Sequence, residues 1–345
     1  MRLSAALAVA IAATALFGAG SASAATYFGS GCTADQINDG AIWVSTGHAA
    51  ASPLPVTAPI SGVITEWTVN TNITVASEGK LAGEFPRILQ QRLLVLQAEG
   101  PESFKVVGEA TGGMLALKGT NTYAARLPVQ AGDYLGIAGN PYAAYCETKD
   151  PADKFDAAVG GTPVGSVFKA EPSAAGGLQV PITARIEPDV DGDGYGDETQ
   201  DQCPQSAAYQ TACPVVTISS LSMSHPKAAT VYISSSLAAP ITVSGTVKLG
   251  KGKAVTLTAP AQAVAPGALG RFNLAFTKLV LNTLKALTTK KSLTLTVTAS
   301  AANVTGSPST ATSKLKLRGQ KQPVHRKKSH HKKPAKTTHP KHKHH

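Results

Sequence analysis

Apolar and polar residues alternate in short runs over much of residues 25–187. Ser61–Val69, for example, places Val63, Trp67 and Val69 on one side of an extended chain and Glu66 on the other. Such alternation is typical of half-buried strands. Further runs of this kind, separated by Gly, Pro and Asn, are Arg92–Gln97, Phe104–Glu109, Thr122–Leu127, Asp133–Ala138, Gly165–Ala170 and Val180–Ile186. This spacing predicts a β-sandwich over residues 25–187.

A second stretch of strand-like runs occupies residues 215–318. The runs are rich in Val, Thr, Ile and Ser and comprise Val215–Met223, Thr230–Ser234, Ile241–Lys248, Ala254–Thr258, Arg271–Thr277 and Leu293–Ala299. Leu279–Leu287 instead has helical spacing, carried by Leu279, Leu281, Leu284 and Leu287. We therefore predict an immunoglobulin-like sandwich over 215–318 with one short helix. Leu127–Gly139 resembles the edge of a jelly roll, so the 25–187 sandwich is expected to be jelly-roll-like. The predicted fold class is all-β.

The two ends of the chain differ from both predicted sandwiches. Residues 1–24 combine Arg2, an apolar run from Leu3 to Phe17 and the small residues Ala22-Ser23-Ala24, which is the pattern of a cleaved secretory signal. No second long apolar run follows, so the mature chain is expected to be exported and soluble, with no transmembrane segment. Residues 319–345 carry almost no large apolar side chains and are expected to form a disordered Lys/His-rich tail.

Between the two sandwiches, residues 188–214 hold the strongest chemical signal of the sequence. Six carboxylates lie within Asp189–Asp201, and like charges so close together repel unless a cation lies among them. Aspartates at loop positions 1, 3, 5 and 9 can turn onto one ion, while Gly194 permits the sharp turn. The donors are hard oxygens, which favours Ca²⁺. The candidate ligands are Asp189, Asp191, Asp193, the carbonyl of Tyr195, Asp197, Glu198 and Asp201.

Asp189–Pro204, with the sequence DVDGDGYGDETQDQCP, resembles a thrombospondin type 3 repeat, a calcium-loaded loop closed by a disulfide. It also resembles calcium spacers between domains of secreted bacterial proteins. Position 12, which is the bidentate Glu of an EF-hand, is Gln200 here, and Asp201 and Cys203 come one residue later than in the thrombospondin pattern. The closing ligand therefore remains open between Asp201 and Glu198. The resemblance implies a calcium-stiffened joint between the sandwiches.

Four cysteines in an exported chain suggest two disulfides. Cys203 and Cys213 bracket a short loop and form the natural local pair, which leaves Cys32 with Cys146. Of the three possible pairings this one is the most economical.

Charge is divided sharply along the chain. All 21 acidic residues lie at or before Asp201, whereas 21 of the 32 Lys and Arg residues follow it. The basic part is expected to bind polyanions such as anionic cell-wall polymer, through the tail residues Arg326, Lys327, Lys328, Lys332, Lys333, Lys336, Lys341 and Lys343. Loose transition-metal binding by His330, His331, His342, His344 and His345 is one alternative, and a merely solubilising tail is another.

Motifs of common hydrolases and nucleotide-binding enzymes are missing from the sequence, so we expect a protein that is not an enzyme. The predicted function is that of a secreted, monomeric, cell-envelope-associated protein of a bacterium. The alternative is a carbohydrate-binding module in residues 25–187, which would need Trp43 or Trp67 exposed for stacking on polysaccharide. Trp67 alternates with Val63 and Val69, and Trp43 lies among AIWVS, so burial in the core is favoured for both.

Overall fold

The computed structural model describes residues 24–39, 41–48, 53–74, 89–159, 163–172, 176–225, 227–249, 253–288, 291–304 and 308–319. The predicted signal peptide apart from Ala24, and the tail from residue 320 onward, lie outside the described residues. The chain divides into two compact units, Met1–Cys213 and Pro214–His345. Each is described below by itself.

Fourteen strands build the described part of the first unit. They are β1 Thr26–Gly29, β2 Thr33–Ala34, β3 Gln36–Asp39, β4 Ala41–Gly47, β5 Gly62–Asn72, β6 Leu89–Gly100, β7 Ser103–Met114, β8 Lys118–Val129, β9 Tyr134–Glu147, β10 Lys154–Val159, β11 Val167–Lys169, β12 Glu171–Pro172, β13 Leu178–Gln179 and β14 Ile182–Glu187. The predicted strand runs all lie within or overlap these elements, while β1 to β4, β10, β12 and β13 were not predicted.

Two sheets form a sandwich in this unit. A five-stranded sheet has the order β1-β14-β5-β2 with β8 also paired to β5. A nine-stranded sheet has the order β11-β7-β6-β9-β4-β10-β12, with β3 and β13 also paired to β9. The main core, which includes Phe28, Trp67, Leu93, Ile137 and Ile182, takes side chains from both sheets. The sandwich confirms the predicted all-β class.

The nine-stranded sheet is apolar on both faces in its middle. Leu93 and Val95 of β6 belong to the main core, whereas Leu94 and Leu96 pack in a second cluster with Phe104. All four of these β6 side chains are fully buried. A continuous apolar run is what a strand covered on both faces requires.

The described part of the second unit contains seven strands and one helix. They are β15 Val216–His225, β16 Ala228–Ser235, β17 Ala239–Lys248, β18 Ala254–Val264, β19 Gly270–Ala275, α1 Lys278–Ala286, β20 Ser292–Ala301 and β21 Thr310–Arg318. The sheets have the orders β15-β16-β19 and β18-β17-β20-β21. The second sandwich therefore has three strands on one side and four on the other.

The helix α1 forms where it was predicted. Thr277 caps its first turn by accepting a hydrogen bond from the amide of Val280. Val280 and Leu284 are the buried residues, whereas Leu279 is 53% exposed. Leu284 belongs to the predicted leucine pattern, whereas Val280 does not.

Candidate metal centre

Residues 188–213, here called the acidic segment, follow β14 and contain turns and bends but no helix or strand. Asp189 organises its start, because its carboxylate accepts hydrogen bonds from the amides of Gly192 at 2.8 Å, Asp193 at 3.0 Å and Gly194 at 2.9 Å. Gly192 and Gly194 have φ of 75° and 84°, a conformation that side chains with a Cβ rarely adopt. The interleaved glycines thus allow the aspartates to turn toward one another.

Three of the predicted ligands are brought together by this turn. Carboxylate oxygens of Asp189, Asp191 and Asp193 all lie within 4.8 Å of one another. All three side chains are half-buried. Such a group of hard oxygen donors suits Ca²⁺.

Asp201 adds a nearly fully buried carboxylate. The residue is 4% exposed, and its Oδ1 accepts a 2.7 Å hydrogen bond from the amide of Cys203. Its Oδ2 is buried and has no hydrogen-bond partner among the described residues, and the same holds for Oδ2 of Asp191. A buried carboxylate oxygen without a partner is costly, so a bound cation would satisfy it. These unpartnered oxygens support a metal site in the acidic segment, and they do so independently of the spacing of the aspartates along the sequence.

Electrostatics link Asp197 and Asp201 to the first three aspartates. Burial raises the pKa of Asp197 to about 6, opposed by the amide of Val190 and reinforced by the carboxylates of Asp189, Asp191 and Asp201. Burial also raises the pKa of Asp201, and Asp191, Asp193 and Asp189 raise it further. We call Asp189, Asp191, Asp193, Asp197 and Asp201 the carboxylate cluster. Its members repel one another, and a bound cation would offset this repulsion.

Glu198, the other candidate for the closing ligand, is engaged elsewhere. Its Oε2 lies 2.9 Å from Nη2 of Arg185, and its Oε1 accepts a 2.5 Å hydrogen bond from the amide of Ala25. The ring of Tyr195, whose carbonyl is a predicted ligand, lies 4.3 Å from the guanidinium of Arg126. Of the two closing candidates, the arrangement therefore favours Asp201 over Glu198.

The acidic segment is fastened to the first unit by a buried carboxylate that sequence analysis missed. Glu187, at the end of β14, is 0% exposed. It accepts hydrogen bonds from the amides of Glu198 at 2.9 Å and Thr199 at 2.8 Å, and from the hydroxyls of Thr199 at 2.7 Å and Thr65 at 2.9 Å. Arg185 lies 3.1 Å away. Burial alone raises its pKa, but these hydrogen bonds outweigh burial and leave the pKa below the ordinary Glu value.

Close approach at this point depends on Gly196. A Cβ there would lie 2.5 Å from Cγ2 of Thr65 and 2.6 Å from Oε2 of Glu187. Gln200 adds a 2.7 Å hydrogen bond from its amide nitrogen to the carbonyl of Ala125. We call Arg185, Glu187, Thr65, Gly196 and Thr199 the anchor. Through it the segment that was expected to join two domains is packed on the first unit.

Both disulfides have the predicted pairing. Cys203–Cys213 closes the end of the acidic segment with a Cα–Cα distance of 4.9 Å. Within that loop, Gln210 donates from Nε2 to Oδ2 of Asp193 at 2.9 Å, so the disulfide-closed turn contacts the carboxylate cluster. Cys32–Cys146 joins residues 114 positions apart within the first unit.

Neither tryptophan offers a face for sugar stacking. Trp67 is 0% and Trp43 5% exposed, which confirms the prediction that both are core residues. Trp43 is stacked between Tyr145 and Phe155, with ring centroids 4.8 and 4.6 Å away. The condition set for the carbohydrate-binding alternative is therefore not met.

The predicted polyanion-binding residues, from Arg326 to Lys343, and the tail histidines lie outside the described residues. The described part of the second unit presents basic side chains of its own. Lys314, Lys316 and Arg318 are exposed at alternate positions of β21, and Lys248, Lys253 and Arg271 are exposed elsewhere. Across the described ranges, no helix has the length and apolar character needed to span a membrane.

Comparison with known proteins identifies no family for this chain. No family model matches the sequence, and a search of curated proteins finds no match either. A solved structure of a calcium-binding mutant of Bacteroides uniformis beta-glucuronidase 2 aligns over 82% of this chain and 32% of its own, with 11% identity and a TM-score of 0.19. A GH2 beta-galacturonidase from Eisenbergiella tayi bound to galacturonate aligns over 82% and 43%, with 8% identity and a TM-score of 0.21. The chain thus spans less than half of either protein, and at these TM-scores the likeness carries no argument.

Proposed function

We propose that this chain is a secreted, non-catalytic protein of the bacterial cell envelope. Its acidic segment binds Ca²⁺, and its basic C-terminal part binds anionic polymer of the envelope. The observation that carries the proposal is the carboxylate cluster: Asp189, Asp191 and Asp193 lie together, and their charges act on Asp201, whose Oδ2 is buried and unpartnered among the described residues. The proposal follows from the chemistry of the donors and from the division of charge along the chain.

Asp189, Asp191, Asp193, Asp197 and Asp201 would hold the ion. Ca²⁺ would supply the positive charge that the five carboxylates lack and would need no ligand from Glu198. Since the loop is single and has no paired partner, we expect a Kd of about 10⁻⁴–10⁻³ M, as in extracellular modules. That range would keep the site filled in many calcium-containing external media and empty inside cells.

Calcium would then order the acidic segment against the first unit. The anchor holds one side of the segment through hydrogen bonds that need no ion, whereas the carboxylate cluster stays self-repelling until a cation arrives. Binding should therefore fix the chain from β14 to Cys213, directly before the second unit begins. Calcium would thus stiffen the acidic segment, as predicted from the sequence, by fixing it against the first unit.

The calcium part can be tested by thermal unfolding of residues 25–345 in chelator and in about 10 mM Ca²⁺. With the expected Kd, this concentration should stabilise the protein by about 1.4–2.7 kcal/mol. Asp191→Asn combined with Asp193→Asn should abolish the shift. Glu99→Gln combined with Glu171→Gln removes two exposed carboxylates outside the cluster and should leave the shift intact. Equal Ca²⁺ shifts in both double variants would exclude the site.

The polymer part rests on the charge division. No Asp or Glu follows Asp201, so the basic residues of the second unit have no acidic side chain within that unit to pair with. Electrostatic binding to a polyanion releases counterions and is therefore weakened by salt. The tail and the exposed basic residues of β21 would act together.

Retention on isolated cell walls across a salt series tests this part. Residues 25–345 should bind at low salt and be released as salt rises, and residues 25–318 should bind more weakly. Lys314→Gln with Lys316→Gln should weaken the shortened protein further. If both lengths stay in solution at low salt, attachment to the envelope is wrong, and the protein is freely secreted.

A further inference from the structure

The backbone nitrogen of Ala25 lies on the acidic segment. It donates to Oε1 of Glu198 at 2.5 Å, while Oε2 of the same carboxylate lies 2.9 Å from Nη2 of Arg185. The position of Ala25 is set by the strand that follows it. In that strand Thr26 pairs with Ile186 in the antiparallel ladder of β1 and β14, so Ala25 stands beside the anchor at the end of β14.

Around Arg185 and Ala25 there are more negative than positive groups when the nitrogen of Ala25 is an uncharged peptide amide. Arg185 is paired with two carboxylates, Glu187 at 3.1 Å and Glu198 at 2.9 Å. One guanidinium thus faces two negative groups, one of them fully buried. A second cation near Glu198 would complete the pairs, and the atom that already contacts Glu198 is the nitrogen of Ala25.

Cleavage of the predicted signal would turn that nitrogen into a cation. Hydrolysis of the Ala24–Ala25 peptide bond consumes one water and leaves a carboxylate on Ala24 and an amine on Ala25. A free α-amino group has a pKa of about 7.7–8.0 and is therefore mostly an ammonium at neutral pH. The contact with the Glu198 carboxylate, a hydrogen bond from an amide before cleavage, then becomes an ion pair as well.

We infer that the α-ammonium of Ala25, created by processing between Ala24 and Ala25, is a built-in ligand of Glu198 and locks the acidic segment onto the first unit. The role is specific to this one start. An additional residue before Ala25 converts the nitrogen back to an amide, and a start at Thr26 removes it. The inference rests on the export part of the proposed function and is independent of calcium.

The test compares two purified proteins that differ only at the start. One begins at Ala25 and the other carries Gly-Ser before Ala25, and both are measured in chelator so that calcium plays no part. We expect the extension to lower Tm by about 2–4 °C, which corresponds to the loss of one partly exposed ion pair. Protease cleavage within 188–213 should become several-fold faster. Equal Tm and equal cleavage for the two starts would overturn the inference.

A second arm separates a specific pair from a general effect of the extension. Glu198→Gln should lower Tm in the protein that begins at Ala25 and have a much smaller effect in the extended one. Glu109→Gln, which breaks the 2.9 Å pair with Arg92 elsewhere in the unit, should act equally in both. Equal effects of Glu198→Gln in both proteins would contradict the pairing.

The mass of the exported protein tests the processing step itself. It should match residues 25–345, and any other start would overturn the assignment of the cleaved bond. A start-dependent Tm together with absent calcium binding would reject the proposed calcium site and leave this inference standing.

Discussion

Glu187, at the end of β14, and Asp201, within the acidic segment, are both buried carboxylates, but their pKa values are shifted in opposite directions. Glu187 is 0% and Asp201 4% exposed. Four hydrogen bonds and Arg185 satisfy Glu187, and its pKa lies below the ordinary value. Asp201 has one amide donor and an unpartnered Oδ2 within the described structure, and burial with neighbouring carboxylates raises its pKa.

The hydrogen bonds around these two residues distinguish a structural carboxylate from a candidate ligand of a metal ion. A buried carboxylate with a full set of donors is complete in the protein alone. A buried carboxylate with a spare oxygen, surrounded by other carboxylates, would be stabilised by a bound cation. Exposure alone does not separate the two, whereas the hydrogen bonds and the direction of the pKa shift do.

The largest loss of stability should come from replacing Glu187, the buried carboxylate whose hydrogen bonds are all satisfied. Glu187→Gln places an amide NH₂ group opposite donors and removes the charge that faces Arg185. We expect a loss of roughly 3 kcal/mol in the free energy of unfolding, because one partner of a buried charge pair disappears. Urea unfolding in chelator and in Ca²⁺ would measure it, and the loss should be similar in both. Glu99→Gln, which removes an exposed carboxylate, is the control and should cost little stability. A loss for Glu187→Gln as small as that of the control would contradict the role of Glu187 in the anchor.

A smaller loss of stability is expected when an added methyl group crowds the anchor and its hydrogen-bonding groups are all kept. Gly196→Ala puts a Cβ 2.5 Å from Thr65 and 2.6 Å from the Glu187 carboxylate, so the segment must shift outward. Overpacking of this kind costs about 1–3 kcal/mol. Gly31→Ala is the matched control, because no atom outside its chain neighbours lies within 4 Å of a Cβ there. Thermal unfolding of the two variants should differ clearly, and equal Tm values would mean that the close approach is unimportant.

The pH dependence of stability should report on the carboxylate cluster, through Asp197. Burial and neighbouring carboxylates raise the pKa of Asp197 from 3.8 to about 6, so the folded protein binds this proton more tightly than the unfolded chain does. The stability that this group contributes is therefore present below about pH 4 and is lost as pH rises through about 6. Tm measured in chelator between pH 4 and 7 should show this decline on top of other titrations. Asp197→Asn should remove it, and a decline of unchanged size in that variant would contradict the assignment.

The smallest change in stability, and the one that differs most with calcium, is expected from Asp201→Asn. In chelator the substitution removes a buried charge without a partner, so stability should stay within about 1 kcal/mol of the parent protein or rise. The affinity for Ca²⁺ should nevertheless fall by roughly tenfold or more, since a charged ligand is lost. Calorimetric titration with Ca²⁺ would show the fall. A variant with unchanged affinity would remove Asp201 from the site.

Features encoded by neighbouring residues could be predicted from the sequence. The aspartates at alternate positions, the glycines between them and the local Cys203–Cys213 pair all lie within a short stretch. The alternation of Val63, Trp67 and Val69 likewise predicted a strand. These signals depend on local spacing, which a sequence displays directly.

The anchor could not be predicted, because it joins residues far apart in the chain. Thr65 and Glu187 are separated by 122 positions, and Ala125 and Gln200 by 75. β21 was missed because its Lys, Ser and Thr content obscures the alternation of Leu315 and Leu317. Two signals could have indicated the anchor. Glu187 is an acidic residue at the end of an otherwise buried strand, and Gly196 is a third glycine beyond the two that the turn requires.

Hydrogen exchange of residues 25–345, followed by mass spectrometry with and without Ca²⁺, would show whether Ca²⁺ binds and orders the acidic segment. We expect Ca²⁺ to slow exchange of amides in 189–201, while exchange in β16, β17 and β20 of the second unit stays unchanged. Mg²⁺ at the same concentration should protect much less, because it demands a smaller and more regular octahedral site. Identical exchange of 189–201 with and without Ca²⁺, at a concentration well above 10⁻³ M, would contradict the calcium site.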